Sequence, residues 1–498
     1  MDSTKQLQQT SHTGETCERS TEGSQKSESR EDGRGSEPKT SIHRLPFEVI
    51  AYMFEFYTED CYYREDALSL GAICKAWRHI AWTTPSLWTT LVFSARKNTT
   101  ERQVQLAIGW LHRSGKMPLS VDLYTSSQSG EWEFTILPLI DVIYLSLARC
   151  RCLRLRGFSD LVFSRFPRYQ GPSILRFLNL EPDRELTAPL HLGLQAAPTE
   201  LSINNINLNV LVINWSNLTD FCARGLYLDE VIHTLTLAPR MVKCRQDLIL
   251  TGISTSSRGY KPTMQSQLED LFLDFCDESG LTTNTFFQNM TFPNLSYCQV
   301  TTPSPFPTPD FLGFLARSSC SIQTLRITSP CIPAEDLVQT VKALPSITTL
   351  ILSSFSFNEH SQPPLDPFYR ALCEDSRYTN RSILPGDVVL LPLLRRLSIS
   401  TYLPFPWAWL PGFRHQSLYD GDTRTILPGR LHLEFISICR LGYQPDYAVL
   451  DGESSAEDPR YLPTELIDTQ ETISELKELG TCLCLQVKAS AAHTVVTL

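Results

Sequence analysis

The chain has 498 residues, 42% of them apolar, with 54 acidic against 44 basic side chains and a formal net charge of −10. The apolar share is that of a folded protein, and the length suggests about three domains. The acidic balance argues against a general nucleic-acid-binding surface, and no apolar run reaches the ~18 residues needed to span a membrane.

Residues 1–40 hold almost no large apolar side chain and are dense in Ser, Glu, Lys, Gly and Gln. Such a segment cannot bury enough surface to offset chain entropy, so a disordered tail is expected. It also lacks the apolar core of a signal peptide, which points to a cytoplasmic or nuclear protein.

Three short helices are expected over residues 41–94. Pro46 suits a first helical position, and Glu48 meets the positive end of the helix dipole. Val49, Ile50, Met53, Phe54 and Tyr57 then recur at helical spacing. A second run sets Leu70, Ile73, Cys74, Trp77, Ile80 and Ala81 on one side of a helix. Thr84 and Pro85 read as an N-cap and a Pro start, opening a third helix through Leu87, Trp88 and Leu91. So small a piece buries little surface alone, so it should lean on the next segment of the chain or on a partner.

The ordered set Leu45, Pro46, Glu48, Val49, Cys74, Trp77, Arg78, Pro85 and Trp88 resembles an F-box, and is similar to the F-box-like segments abundant in mushroom-forming fungi. The Tyr- and acid-rich stretch 58–66 departs from that pattern in a loop between helices. The resemblance implies that residues 42–93 bind a Skp1-type adaptor, and through it a cullin. Leu45, Pro46, Val49, Ile50 and Trp77 are the expected adaptor-binding residues.

From about residue 145 an apolar-x-x-apolar-x-apolar pattern keeps returning. It occurs at 175–180, 232–237, 268–273, 322–327, 347–352 and 394–399, with weaker copies at 150–155, 201–203 and 295–300. The copies starting at Leu295, Ile322 and Ile347 lie about 25–27 residues apart, inside the leucine-rich-repeat range. Helix starts fall between them, at Thr308-Pro309-Asp310 and Pro333-Ala334-Glu335-Asp336. No strand-turn-helix unit of this kind can bury its apolar face alone, so the units should stack. The Asn that closes each strand of a regular leucine-rich repeat is mostly missing, and the spacing stretches in places. The expected fold is α/β: a short three-helix F-box, then over 95–498 an irregular leucine-rich-repeat-like solenoid, parallel strands inside and helices outside. Near the end, 469–479 reads as an amphipathic helix, Gly480 as its C-cap and 482–487 as a last strand, with an acidic surface loop at 451–459.

Catalytic signatures do not appear. There is no GxSxG elbow, P-loop, HExxH or dinucleotide fingerprint. The 15 cysteines are odd in number and scattered, and the pairs Cys150/Cys152 and Cys482/Cys484 are too close for a CxxC site. Reduced core thiols, with no metal and no cofactor, are expected. Two features stand out. One is the acidic cluster Glu269, Asp270, Asp274, Asp277 and Glu278. The other is the aromatic, Pro-rich insert 402–413, whose Phe405, Trp407, Trp409 and Phe413 are the candidate substrate-binding residues. The reading is a non-catalytic substrate-recognition subunit of a Skp1-cullin-F-box type ubiquitin ligase. It binds the adaptor through 42–93 and an unknown protein substrate through the repeat domain. The alternative is an F-box scaffold acting outside a ligase.

Overall fold

The computed structural model describes residues 45–59, 66–166, 171–186, 189–191, 196–252, 263–353, 366–374, 390–401, 435–441, 482–489 and 492–497. The chain divides into two compact units, Met1–Ile50 and Ala51–Leu498.

In the first unit, Leu45 and Pro46 lead into helix α1 (Phe47–Glu59). The Pro46 carbonyl accepts the Val49 and Ile50 amides at 3.1 and 3.2 Å, so Pro46 stands at the N-cap, one residue before its expected place. Glu48 lies in the first turn, where its charge meets the exposed amides.

The second unit carries α1 onward into α2 (Asp66–Ile73) and α3 (Lys75–Thr83). Periodicity reads 70–81 as one helix, but the chain breaks it at Cys74. That residue is extended, and its Sγ accepts the Trp77 amide at 3.4 Å, capping α3. The expected third helix is only a 3-10 turn, Pro85–Trp88. Thr84 does not cap it, because its hydroxyl donates back to the Ile80 carbonyl at 2.8 Å. Trp88 is fully buried and its indole N–H donates to the Ala81 carbonyl at 2.8 Å. Its ring meets Trp82 and Trp110 edge-on at 5.2 and 4.7 Å. Trp110 belongs to α4 (Glu101–Arg113), whose Arg113 lies over the Trp82 and Trp88 rings. The short helices therefore draw their core from the element after them.

Beyond them the chain forms a sheet of fifteen strands: β1 (Thr90–Ala95), β2 (Leu119–Thr125), β3 (Cys150–Phe158), β4 (Phe177–Pro182), β5 (Glu200–Asn204), β6 (Asp220–Arg224), β7 (Lys243–Ile249), β8 (Asp270–Phe275), β9 (Tyr297–Thr301), β10 (Thr324–Thr328), β11 (Thr349–Ser353), β12 (Arg396–Thr401), β13 (Phe435–Leu441), β14 (Cys482–Ala489) and β15 (Ala492–Thr497). Their order across the open sheet is their order in the chain. Neighbours pair in parallel as far as β14, and β15 returns antiparallel. β1 begins at Thr90, inside the span read from sequence as the helical module.

One register line crosses the sheet. Leu91, Val121, Leu153, Leu178, Leu201, Phe221, Cys244, Leu271, Cys298, Leu325, Leu350 and Leu397 stand side by side. All are buried. Alternate residues on the same strands face the other way and stay half-exposed, as the two-residue period of a strand requires. Burying each large side chain of this line contributes about 1.5–3 kcal/mol. At Gly157 in β3 the backbone has φ +81°, and an added Cβ would collide with the Thr125 carbonyl. The β3–β4 register shifts at this point.

Helices α5 (Leu137–Leu145), α6 (Asp160–Phe163), α7 (Leu228–Leu237), α8 (Leu281–Asn289), α9 (Thr308–Ser318), α10 (Ala334–Lys342) and α11 (Asp366–Glu374) alternate with the strands. From α7 to α11 each packs on the next. Phe275 of β8 meets Phe286 of α8 at 6.1 Å, and Phe286, Phe287, Phe292, Phe311 and Phe314 are fully buried around it. The fold is thus α/β with a large open parallel sheet. One expected strand, 232–237, is instead the end of α7. Just past the strands, side chains tie neighbouring turns. Cys276 Sγ donates to the Ile249 carbonyl at 2.9 Å and Ser329 Oγ to the Ser304 carbonyl at 3.0 Å; within one turn, Thr302 Oγ1 lies 2.7 Å from Ser304 Oγ.

Candidate functional site

Helix α1 is apolar on two sides. Ala51 and Phe54 are buried, and the Phe54 ring lies 4.9 Å from that of Trp77 on α3. Tyr52 (68% exposed), Met53 (44%), Phe56 (62%) and Tyr57 (52%) face outward. Ile73, at the end of α2, is also exposed. Tyr52, Met53, Phe56 and Tyr57 follow one another at helical spacing as an exposed apolar strip. In the first unit, Leu45, Pro46 and Val49 are exposed, while Ile50 is buried at 4%. Of the residues picked from sequence, then, Leu45, Pro46 and Val49 are open to a partner. Ile50 and the half-buried Trp77 point into the fold instead. Sequence reasoning missed Tyr52 and Phe56. The available signal was that 49–57 is apolar at all but Glu55, more than a single buried stripe can use.

Beside these helices a polar hollow of about 280 Å³ is lined by Glu55, Thr58, Ala67, Ser86, Leu87, Thr89, Thr90 and Met117. The Ser86 hydroxyl donates to the Glu55 carboxylate across it. Among the described residues, no three His, Cys, Asp or Glu side chains converge as metal ligands.

The acidic cluster does not act as one unit. Asp277 is buried and caps α8. Its carboxylate accepts the Ser279 amide at 2.8 Å, the Ser279 hydroxyl at 2.6 Å and the Thr282 amide at 2.8 Å. Burial alone would raise its pKa, but the donors from Ser279 and Thr282 outweigh it and hold the carboxyl at about 2. Asp270 and Asp274 lie on the open face of the sheet, where Asp270 pairs with Lys243 at 3.7 Å. Burial first, and the neighbouring Asp247 next, push the Asp274 carboxyl up. Glu269 and Glu278 are exposed just outside the two ends of β8. Phe405, Trp407, Trp409 and Phe413 lie outside the described residues, as do the expected helix 469–479 and loop 451–459.

The open sheet face is chemically divided. Seven carboxylates lie on β1–β8: Asp122, Glu181, Glu200, Asp220, Asp247, Asp270 and Asp274. Three of the arginines there are engaged. Arg156 pairs with Asp122 at 3.0 Å, Arg245 with Asp247 at 3.1 Å, and Arg154 stacks over Phe177 at 4.3 Å. From β9 to β15 no strand carries Asp or Glu. Thiols on the inner line are inert by burial, which pushes Cys244 up to about 12 and Cys298 higher still.

Compared with known proteins, the chain matches no protein-family model and shows no significant similarity to any curated protein.

Proposed function

We propose that this chain is a substrate receptor of a cullin-based ubiquitin ligase. In this reading residues 42–93 are an F-box that docks a Skp1-type adaptor, and the sheet with its helices is an irregular leucine-rich-repeat-like solenoid that holds a protein substrate. The observation that carries the reading is the exposed apolar side of α1, Tyr52, Met53, Phe56 and Tyr57, on a helix whose other side is already packed. A surface of large apolar and aromatic residues is what a partner helix needs for anchoring.

The strand order equal to chain order supports the repeat reading. So do Cys276 and Ser329, whose side chains bond neighbouring turns where a regular leucine-rich repeat has its Asn. The chain itself supplies no catalytic group in this reading. It raises the effective concentration of substrate near the ubiquitin-conjugating enzyme. Co-purification with adaptor and cullin tests the proposal. Capture of the adaptor without the cullin favours a scaffold outside a ligase.

A further inference from the structure

The open face of β9–β12 differs from that of β1–β8 in carrying arginines and no carboxylate. Arg326, at the centre of β10, is half-buried, and its Nε, like that of Arg156, is buried with no hydrogen-bond partner. Arg396 opens β12, exposed, in register with Thr349 and, through it, with Thr324 and Tyr297. Among the described residues neither arginine has a carboxylate within ion-pair distance, unlike Arg156 and Arg245 on the other half. Around them lie Gln299, Ile351 and a surface of Ser and Thr side chains, neutral and half-exposed. In a chain of net charge −10 this is a local excess of positive charge with one unsatisfied donor. Leaving a buried guanidinium N–H unpaired costs free energy that an incoming acceptor restores.

We infer that the open face of β9–β12 binds an acidic peptide segment of a partner protein, with Asp or Glu carboxylates on Arg326 and Arg396. The two arginines sit on strands two apart, roughly 10 Å across the sheet. Three residues of a polyproline II segment, at about 3.1 Å each and three to the turn, span the same distance and return to the same side, so carboxylates at i and i+3 meet both. A phosphate group draws a cluster of cations onto one point, and here the guanidinium groups stand on separate strands. Ile351 between them, with Tyr297 at the side, offers an apolar rest for the residues between the carboxylates. This names the substrate class for the receptor proposed above, and its role in substrate capture rests on that reading.

The test uses the full chain and a fluorescein-labelled peptide of about eight residues, enough to cross four strands. The peptide carries Glu at i and i+3 with Leu between them. Its Gln-for-Glu counterpart and a single-stranded oligonucleotide serve as the other probes. Anisotropy should show binding of the Glu peptide and not of the other two. Arg326→Gln with Arg396→Gln should weaken it about fivefold or more, with an unchanged melting temperature. Arg154→Gln, on the internally neutralised half, should leave it unchanged. Equal binding of the Gln peptide, tighter binding of the oligonucleotide, or an unaffected double variant would overturn the inference. Adaptor capture is measured on the same preparations. Loss of adaptor binding with peptide binding intact would sink the ligase reading and leave the acidic-peptide site standing.

Discussion

The Phe54 ring lies 4.9 Å from the Trp77 ring at an interplanar angle of 57°, and this contact ties α1 to α3. Trp77 is therefore committed to the fold, and what α1 leaves open is its other side. Trp77→Ala should lower stability by about 2 kcal/mol, below the roughly 3–5 kcal/mol for deleting a fully buried ring because this one is half-buried. Trp77→Phe should keep most of it. A urea titration of both variants checks this, and an unchanged midpoint for Trp77→Ala would show that the contact carries no weight.

Gly71 gives a prediction in which the sign decides. In an exposed helix interior, Gly→Ala stabilises by about 1 kcal/mol. Here an added Cβ would run into the Trp82 ring, and the Gly71 carbonyl accepts Arg78 Nε at 2.8 Å. Gly71→Ala should instead destabilise, because α2 cannot move off Trp82 without losing that bond. Differential scanning calorimetry of the variant should show a lower melting temperature, and a raised one would contradict this packing.

Asp277 sets a pH dependence. Its carboxyl is held at about 2 in the fold, below its ordinary value of 3.8. Its stabilising contribution is therefore complete above the ordinary carboxylate range, and is lost as pH falls from about 4 toward 2. Asp277→Ala should cost about 1 kcal/mol at neutral pH, as loss of a helix cap does. The gap between variant and wild type should narrow as the medium is acidified. A gap that stays constant down to pH 3 and below would mean that the carboxylate charge is not what caps α8.

Much of the sheet was legible because its signal is local. The repeated apolar spacing marks β3, β4, β5, β8, β9, β10, β11 and β12, since a strand with one buried face must alternate. The same spacing misled at 232–237, where Ile232 and Leu235 also satisfy the three-residue step of a helix, and α7 won. Strands β1, β2, β6, β7, β13 and β15 escaped: β1 and β2 precede the first copy of the pattern, and β6 and β7 are rich in charge, as in the Asp220–Arg224 run. The pairing of β1, β2, β6 and β7 is set by the register line rather than by their own composition. The exposed apolar side chains of this region around α1 were half legible. Leu45 and Val49 were singled out and are exposed; Tyr52 and Phe56 are exposed too and were not singled out, because a count of apolar positions does not say which side of the helix packs on Trp77. The division of charge on the open sheet face was not legible at all. It arises from residues on many strands brought together only by parallel pairing.

The most direct test of the central claim is adaptor binding by the full chain with α1 altered on its exposed side alone. Tyr52→Asp with Phe56→Asp removes two aromatic rings that are 68% and 62% exposed and touches none of the buried residues. Calorimetric titration with a purified Skp1-type adaptor should show binding by wild type and at least a hundredfold loss in the variant, about 2.7 kcal/mol or more. The melting temperature should be unchanged. A folded variant that binds the adaptor as tightly as wild type, or a wild-type chain that does not bind it, would contradict the account.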